Sequence, residues 1–526
     1  MKRGISLLLI IAVLFTLTGC GQSPEATKGV AAVKDRSLRI LCCSENRELE
    51  PILNDFARNN NAKFTFSYAG TLDIIQKLNS GEASSYDAVW LSNSIWTNRL
   101  SNSSVLTDGK SIFISPVVFA IDQAEGEKLG LIGRDVTMKE IMKAITDSGI
   151  SFVIPNVTRT NSGASIYLSI LSTLVGNPEV MTINQISRDS VKEELKDFFS
   201  YVGRSSGSED YLLELVESGE YRCMVNTESQ VLALNRKLEA EGKAPMHILY
   251  PVDGVSIGDA PLYYVNNNGN RKDVFLELQK YLLSSPVQEQ LLSLGFRANY
   301  GGTIDSKYEN VFKASYGVQT DRCLSPVKYP SMPVINEALY RYQTMLRKPT
   351  AIVLCLDYSG SMYGNGFRQL SSAMDYILDN TKTADDFLQF SEIDSVTVLG
   401  FAGEIKGWKT GTGDKLGDLR NYVNSTSPNG TTDIYLATLK AFEILKDYPD
   451  DYNKSVVLMT DGLSNCMTFR DFERECPDDA IVPVYSITFG DASTDQLLQL
   501  SQRTGGKVFN GVKDLKNAFR EVRGYN

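Results

Sequence analysis

"AIVLCLDYSGSMYGNG", residues 351–366, decides how the last third of this 526-residue chain is read. Its first half is a continuous apolar run, the pattern of a central strand buried on both faces. The run ends in Asp357, Ser359 and Ser361, three oxygen-bearing side chains at alternate positions. A helix is expected from about Phe367. Downstream, "DSVTVLGFAG", "SVVLMTDG", "IVPVYSITFG" and "KVFNGV" read as further strands with helices between them, among them "STDQLLQLSQRTGG", stopped by its glycines. Such alternation predicts a doubly wound parallel sheet, whose functional edge lies at the C-terminal ends of its strands.

Two more oxygen-rich segments fall at such ends: "SPNGTTDIYLA", a turn entering a helix, and "MTDGLSN", closing a strand. Together the three segments offer Asp357, Ser359, Ser361, Thr432 and Asp461, hard oxygen donors without nitrogen or sulfur. Such donors select magnesium, calcium or manganese over zinc or copper, and magnesium keeps several waters, leaving a position for an incoming oxygen. The constellation resembles the metal-ion-dependent adhesion site of the von Willebrand factor A (VWA) family. Its D-x-S-x-S is Asp357-Tyr-Ser359-Gly-Ser361, its turn threonine Thr432, and its aspartate before glycine Asp461. The resemblance implies a Rossmann-like VWA domain over residues 350–526. It also implies Mg2+ (or Ca2+/Mn2+) held by the Ser359, Ser361 and Thr432 hydroxyls, with the aspartates bound directly or through water. An acidic residue of a protein partner would complete the coordination. Thr431 stands where many relatives carry a second glycine. It is the alternative ligand, and threonine tolerates positive φ poorly.

The same α/β alternation opens the chain. "LRILCCSE", "KFTFSYAG" and "YDAVWLSNS" read as strands, "RELEPILNDFARNN" and "TLDIIQKLNSG" as helices, and the pattern resumes at "SFVIPNVTRTNSGASIYLSIL". The order of the opening segment, "AGT" at 69–71, "VIPNVTRTNSG" and the closing "KDVFLELQKYLLSSPVQEQLLSLGFR" resembles type 2 extracellular solute-binding proteins of bacterial uptake systems. The resemblance implies a periplasmic-binding-protein-like domain over residues 37–300. Its two lobes would be joined by crossings, for which 114–122 and 258–267 are the candidates, with a small solute between them. Ligands in such folds sit at strand ends and helix starts. Those places hold Ser44, Glu45, Gly70, Thr71, Asn93, Ser94, Thr160, Ser162, Gly163, Glu228 and Ser229. The positive ends of helices suit an oxyanion or carboxylate. Thr71 and Ser94 are equally ordinary capping residues, and 161–163 an ordinary turn.

"MKRGISLLLIIAVLFTLTGCGQS" has a basic start, a short apolar run and small residues, the pattern of a secretion signal. The run at 5–17 is short for a membrane span. "LTGC" resembles the bacterial lipobox. It implies a signal peptide at 1–19, lipidation of Cys20, a tether at 20–36, and anchoring on the extracytoplasmic face of the cell membrane. Residues 301–349 read as an irregular connector followed by a helix, whose stripe of Val334, Ala338, Tyr342 and Met345 should dock on a neighbouring domain. Export permits disulfides; Cys466 and Cys476 are the expected pair, and Cys355 a core residue.

Composition removes several functions. The formal net charge is −10 and no basic block occurs, which argues against nucleic acid. His247 is the single histidine, which argues against a His-dependent triad, and H-E-x-x-H and G-x-x-x-x-G-K-[ST] are missing, which removes the zinc-protease and nucleotide-hydrolysis signatures. Asp433 and Asp491 are spare acids that read as helix-start residues. The expectation is a non-enzymatic, membrane-anchored binding protein that grips a protein partner through Mg2+, while its first domain captures or senses a solute. The alternative is the substrate-binding component of an ABC-type uptake system.

Overall fold

The alternation at the start of the chain becomes two sheets. The first contains the parallel strands β1 (Ser37–Cys43), β2 (Lys63–Ala69) and β3 (Ala88–Trp90), followed by β4 (Leu106–Ser111). The chain crosses at Ile112 into the second sheet, formed by β5 (Phe113–Asp122), β6 (Phe152–Pro155), β7 (Val202–Ser206), β8 (Cys223–Thr227), β9 (Met246–Leu249) and β10 (Ser256–Gly258). It returns through Asp259 and Ala260 to β11 (Pro261–Val265). The strand orders are 2-1-3-11-4 and 10-5-8-6-7, with β9 and the short β12 (Arg297–Ala298) also paired to β5. The two crossings touch, Ile112 N–H donating to the Ala260 carbonyl at 3.3 Å. The expected crossing at 258–267 contains the switch; the one expected at 114–122 begins just after it and is the first strand of the second lobe. His247 lies within β9 as a half-buried structural residue, its pKa lowered chiefly by burial.

This computed structural model describes residues 35–523 except 268, 299–302, 322, 385, 489–493 and 512–514. The signal segment, Cys20, the tether up to residue 34 and Asp491 lie outside the described residues. From Arg36 onward the chain is one compact unit.

Helix Asn161–Leu174 shows how the lobe interior is built. Thr160 caps it, its hydroxyl accepting from Gly163 N–H at 3.1 Å. A Cβ on Gly163 would lie 2.1 Å from the Pro155 carbonyl oxygen, so only glycine permits this approach of helix to strand. The closing helices Lys272–Leu282 and Ser285–Leu294 match the expected pair, the second stopped by Gly295 at φ 97°.

The stretch read as a connector is largely lobe. Tyr308, Val311, Phe312, Tyr316 and Val318 pack into the second lobe's core with Val118, Met224 and Ile248. Their spacing follows neither a helix nor a strand period, which is why it reads as irregular. The helix Met332–Arg341 continues into a wider π turn, Tyr342–Leu346. It docks as expected: Val334, Ala338 and Tyr342 are buried, and the Tyr342 ring lies 5.5 Å from Tyr167 and 5.1 Å from Phe199. Met345 is half-buried against the same cluster.

The third sheet contains β13 (Thr350–Asp357), β14 (Ser395–Phe401), β15 (Ile405–Thr412), β16 (Asn453–Thr460), β17 (Val484–Thr488) and β18 (Val508–Asn510), in the order 15-14-13-16-17-18. Every residue of β13 is buried, as its apolar run requires. β15 is an antiparallel edge that the sequence hides, because "IKGWKTGT" has two lysines and two glycines and no clean alternation; lysines on an edge also discourage further strand pairing. The expected Cys466–Cys476 disulfide is absent. Exposed Cys466 turns to the Thr431 hydroxyl at 3.2 Å, while buried Cys476 follows helix Phe469–Glu475 into the core. Cys355 is a core residue.

The two domains meet at the N-terminal ends of the third sheet's strands. Arg347 forms a bidentate pair with Asp394, just before β14, at 2.9 and 2.5 Å. Burial alone would raise the Asp394 pKa, but the adjacent guanidinium outweighs it and holds it below the usual carboxylate value. Gln343 donates to the Gln389 carbonyl at 3.1 Å. Before β18, the Lys507 ammonium sits 4.5 Å over the Tyr211 ring. The strands' C-terminal ends lie away from this seam, roughly 25 Å along β13 for a strand of its length.

Candidate functional site

At those C-terminal ends the predicted oxygens converge. Asp357 closes β13 and is fully buried; its Oδ1 accepts from Ser359 N–H at 2.7 Å and its Oδ2 from the Thr460 hydroxyl at 2.6 Å. The Ser359 and Ser361 hydroxyls lie 3.0 Å apart, and Ser361 donates to Asp461 Oδ1 at 2.8 Å. A Cβ on Gly462 would stand 3.2 Å from Thr432 Oγ1 and 3.6 Å from Ser361 Oγ, which places the third hydroxyl beside the other two. Ser361 is exposed, so the cluster opens to solvent on one side.

Backbone bonds hold the three loops together. Gly360 N–H donates to the Gly430 carbonyl at 2.9 Å and Asn429 N–H to that of Tyr358 at 2.8 Å. Gly430 carries the left-handed conformation, φ 88°, whereas Thr431 is not among the positive-φ residues. The strain expected at Thr431 is thus absorbed one residue earlier. Thr431 turns its hydroxyl to Cys466, and Thr432 is the threonine at the cluster. Asp433 caps helix Ile434–Lys446, as read from the sequence.

Burial pushes the Asp357 carboxyl up; hydrogen bonds from Thr460 and Ser359 oppose this, and the charge of Asp461 adds to it. Asp461 is raised mainly by burial, against the Ser361 hydrogen bond. Two carboxylates disfavoured as charges, beside three hydroxyls, fit a hard divalent cation that would neutralise them. Among the described residues no group of three or more His, Cys, Asp or Glu side chains is placed to hold a metal; the cluster here mixes two carboxylates with three hydroxyls. Thr460 and Asn465 were missed by the sequence reading. Asn465 Oδ1 accepts from Thr432 N–H at 3.2 Å, and its own N–H donates to the Thr432 carbonyl at 3.0 Å. Both lie in the quoted "MTDGLSN" but have no ligand spacing to mark them.

The residues named for solute contact gather in part between the lobes. Ser44 and Ser162 both donate to Glu209, the latter at 3.3 Å. Glu45 and Glu209 are buried at this seam and both are raised, by burial above all, with Glu209's charge further raising Glu45. Thr71 lies 2.8 Å from the Cys43 thiol and 3.0 Å from Ser92. Asn93 caps its own turn and donates to the Ile257 carbonyl at 3.2 Å, while Ser94 N–H donates to Asp259 at 2.7 Å, so both secure the crossing. Thr160 and Gly163 form the helix cap described above. Glu228 is engaged elsewhere, by Arg297 at 2.6 Å and Tyr250 at 2.7 Å, and Ser229 lies 3.3 Å from Thr227. Glu209 and Arg159 escaped the sequence reading. Arg159 pairs with Asp73 of the first lobe at 2.5 Å and donates to the Glu521 and Arg520 carbonyls at the end of the chain's last helix, the former at 3.1 Å.

Fold and geometry define a two-lobed periplasmic-binding type of domain followed by a Rossmann-like domain of the VWA type. Residues 38–297 match the model of the bacterial extracellular solute-binding proteins, and residues 352–463 that of the von Willebrand factor type A domain. The chain therefore combines an extracellular solute-binding domain with a VWA domain, and the first implies an extracytoplasmic location. It is 32% identical over 124 residues to inter-alpha-trypsin inhibitor heavy chain H2 of Mesocricetus auratus, covering 22% of this chain and 12% of that protein. It is 27% identical over 191 residues to heavy chain H3 of the same organism, covering 34% and 20%. The chain thus spans a fifth or less of those relatives' lengths. Among solved structures it is similar to the periplasmic binding protein AfuA from Actinobacillus pleuropneumoniae, with 13% identity, TM-score 0.42 and coverage of 59% and 98%. It is also similar to a periplasmic thiamin binding protein, with 11% identity, TM-score 0.45 and coverage of 57% and 95%. Among the described residues no helix is long and apolar enough to cross a membrane.

Proposed function

We propose that this chain is a membrane-anchored, extracytoplasmic, non-enzymatic binding protein. Its VWA domain grips an acidic residue of a protein partner through Mg2+, and its first domain captures or senses a small solute. The observation that carries this reading is the convergence of Asp357, Ser359, Ser361, Thr432 and Asp461 at the sheet end opposite the interdomain seam. That end stays open to a macromolecule while the other is occupied. Bound Mg2+ would supply an electrophilic centre for the partner's carboxylate. The protein's own residues position the hydroxyls and, by burying Asp357, keep this carboxylate committed to the site. Attachment through lipidated Cys20 would place the site at the membrane surface; two or more acyl chains hold durably where one binds only marginally.

Crosslinking and pull-down from the cell surface tests the reading. Partner recovery is expected with Mg2+ and lost in excess chelator; equal recovery in both would overturn it. The two threonines give a sharper test. Thr432→Val should weaken Mn2+ or Mg2+ binding by about tenfold or more, the scale seen when a metal's supporting groups are lost. Thr431→Val should leave it nearly unchanged. Titration calorimetry distinguishes the two, and the reverse pattern would make Thr431 the ligand. The solute-binding match also supports the second reading, delivery of solute to an ABC-type transporter.

A further inference from the structure

A cavity of about 370 Å³ lies where the two lobes and the VWA domain meet. The first lobe contributes Ser44, Tyr68 and Gly70, the second Gly207 and Ser208, and the VWA domain Phe509, Arg520 and Glu521. Small-molecule sites run from roughly 300 to 1,000 Å³, so the space suits a small solute.

Its charged lining is mainly cationic: Arg47, Lys77, Arg159 and Arg520 against Asp73 and Glu521. Arg159 is already committed, neutralising Asp73 and holding the last helix's carbonyls. Arg520 differs. Its Nη2 donates to Asp386 at 2.9 Å, but its Nε is buried with no hydrogen-bond partner. A buried guanidinium donor without an acceptor is costly, and its best complement is a carboxylate or phosphate oxygen. Helix Thr71–Asn79 begins at the same wall; of its first-turn N–H groups Leu72 donates to the Arg159 carbonyl at 3.0 Å, and Gly70 at the N-cap supplies no side-chain acceptor for the others. Its positive end therefore adds to the attraction for an anion. Tyr68, Tyr86 and Phe509 flank these groups and offer apolar surface for a solute's body.

We propose that this cavity binds a small oxyanion-bearing solute, held jointly by the first lobe and by Arg520 of the VWA domain. The inference rests on the solute-capture reading of the first domain and names both the solute's class and its second holder. Because the last helix is part of the wall, solute binding and VWA docking must strengthen each other by the same factor.

Calorimetric titration of the full chain with inorganic phosphate, against chloride at matched ionic strength, tests this. Saturable binding is expected, weakened about tenfold or more by Lys77→Gln and by Arg520→Gln. It should be unchanged in Tyr363→Ala, whose side chain is exposed beside the oxygen cluster. If Arg520→Gln does not fold, Arg520→Lys replaces it: the charge facing Asp386 remains and the Nε donor is lost, so weakened binding is still expected. Absence of saturable binding, or binding indifferent to the substitutions at both 77 and 520, overturns the proposal. If phosphate fails but glucose binds, the oxyanion inference falls while solute capture stands; if neither binds, both fall.

Discussion

Asp357→Asn is expected to abolish divalent-cation binding at the VWA domain, lowering affinity by more than about 100-fold. Loss of supporting groups alone costs 10–100-fold at metal sites, and this substitution removes the charge that is buried beneath the three hydroxyls. The fold should survive it. Asparagine keeps an oxygen for Ser359 N–H, and its amide can face the Thr460 hydroxyl, which turns to accept. Calorimetry with Mg2+ and far-UV circular dichroism on the same sample separate the two effects. Retained affinity would mean that the cluster is a hydrogen-bonded loop closure and holds no cation. Asp461→Asn should be milder, since Asp461 is only half-buried.

The oxygen cluster was legible because each ligand stands in a short motif at the end of a strand or the start of a helix. A parallel sheet brings such ends to one edge whatever the details of packing. The choice between Thr431 and Thr432 was not legible. It depends on which loop residue takes positive φ, and Gly430 takes it. The two lobes follow from alternation, but their fastening does not. Ser44 reaches Glu209, and Arg159 reaches both Asp73 and Glu521, across separations that leave no local pattern. The packing of Tyr308, Phe312 and Tyr316 on the second lobe is hidden for the same reason. Cys466 and Cys476 show the converse error, since nearness in sequence does not aim two Cβ atoms at each other.

Glu228 carries the other large expected effect, and it distinguishes a structural staple from a solute contact. Glu228→Ala should destabilise the second lobe by about 3–5 kcal/mol, the usual cost of breaking a buried ion pair from one side. Arg297 would be left charged without its carboxylate, keeping the Gln319 carbonyl at 2.8 Å, and Tyr250 would lose its carboxylate acceptor. Burial by itself would lower the Arg297 pKa; the Glu228 carboxylate outweighs it and the net shift is upward, so the charge persists when the pair is intact. Arg297 also belongs to β12, the third passage between the lobes, so the pair fastens that passage to the helix that Glu228 begins. Replacing both partners, Glu228→Gln with Arg297→Met, should recover most of the loss, because the attraction within a buried pair largely offsets its own desolvation. Urea unfolding of the single and double variants gives the comparison. A cost under about 1 kcal/mol for Glu228→Ala, within the range of an ordinary exposed pair, would remove the staple and return Glu228 to the candidates for solute contact.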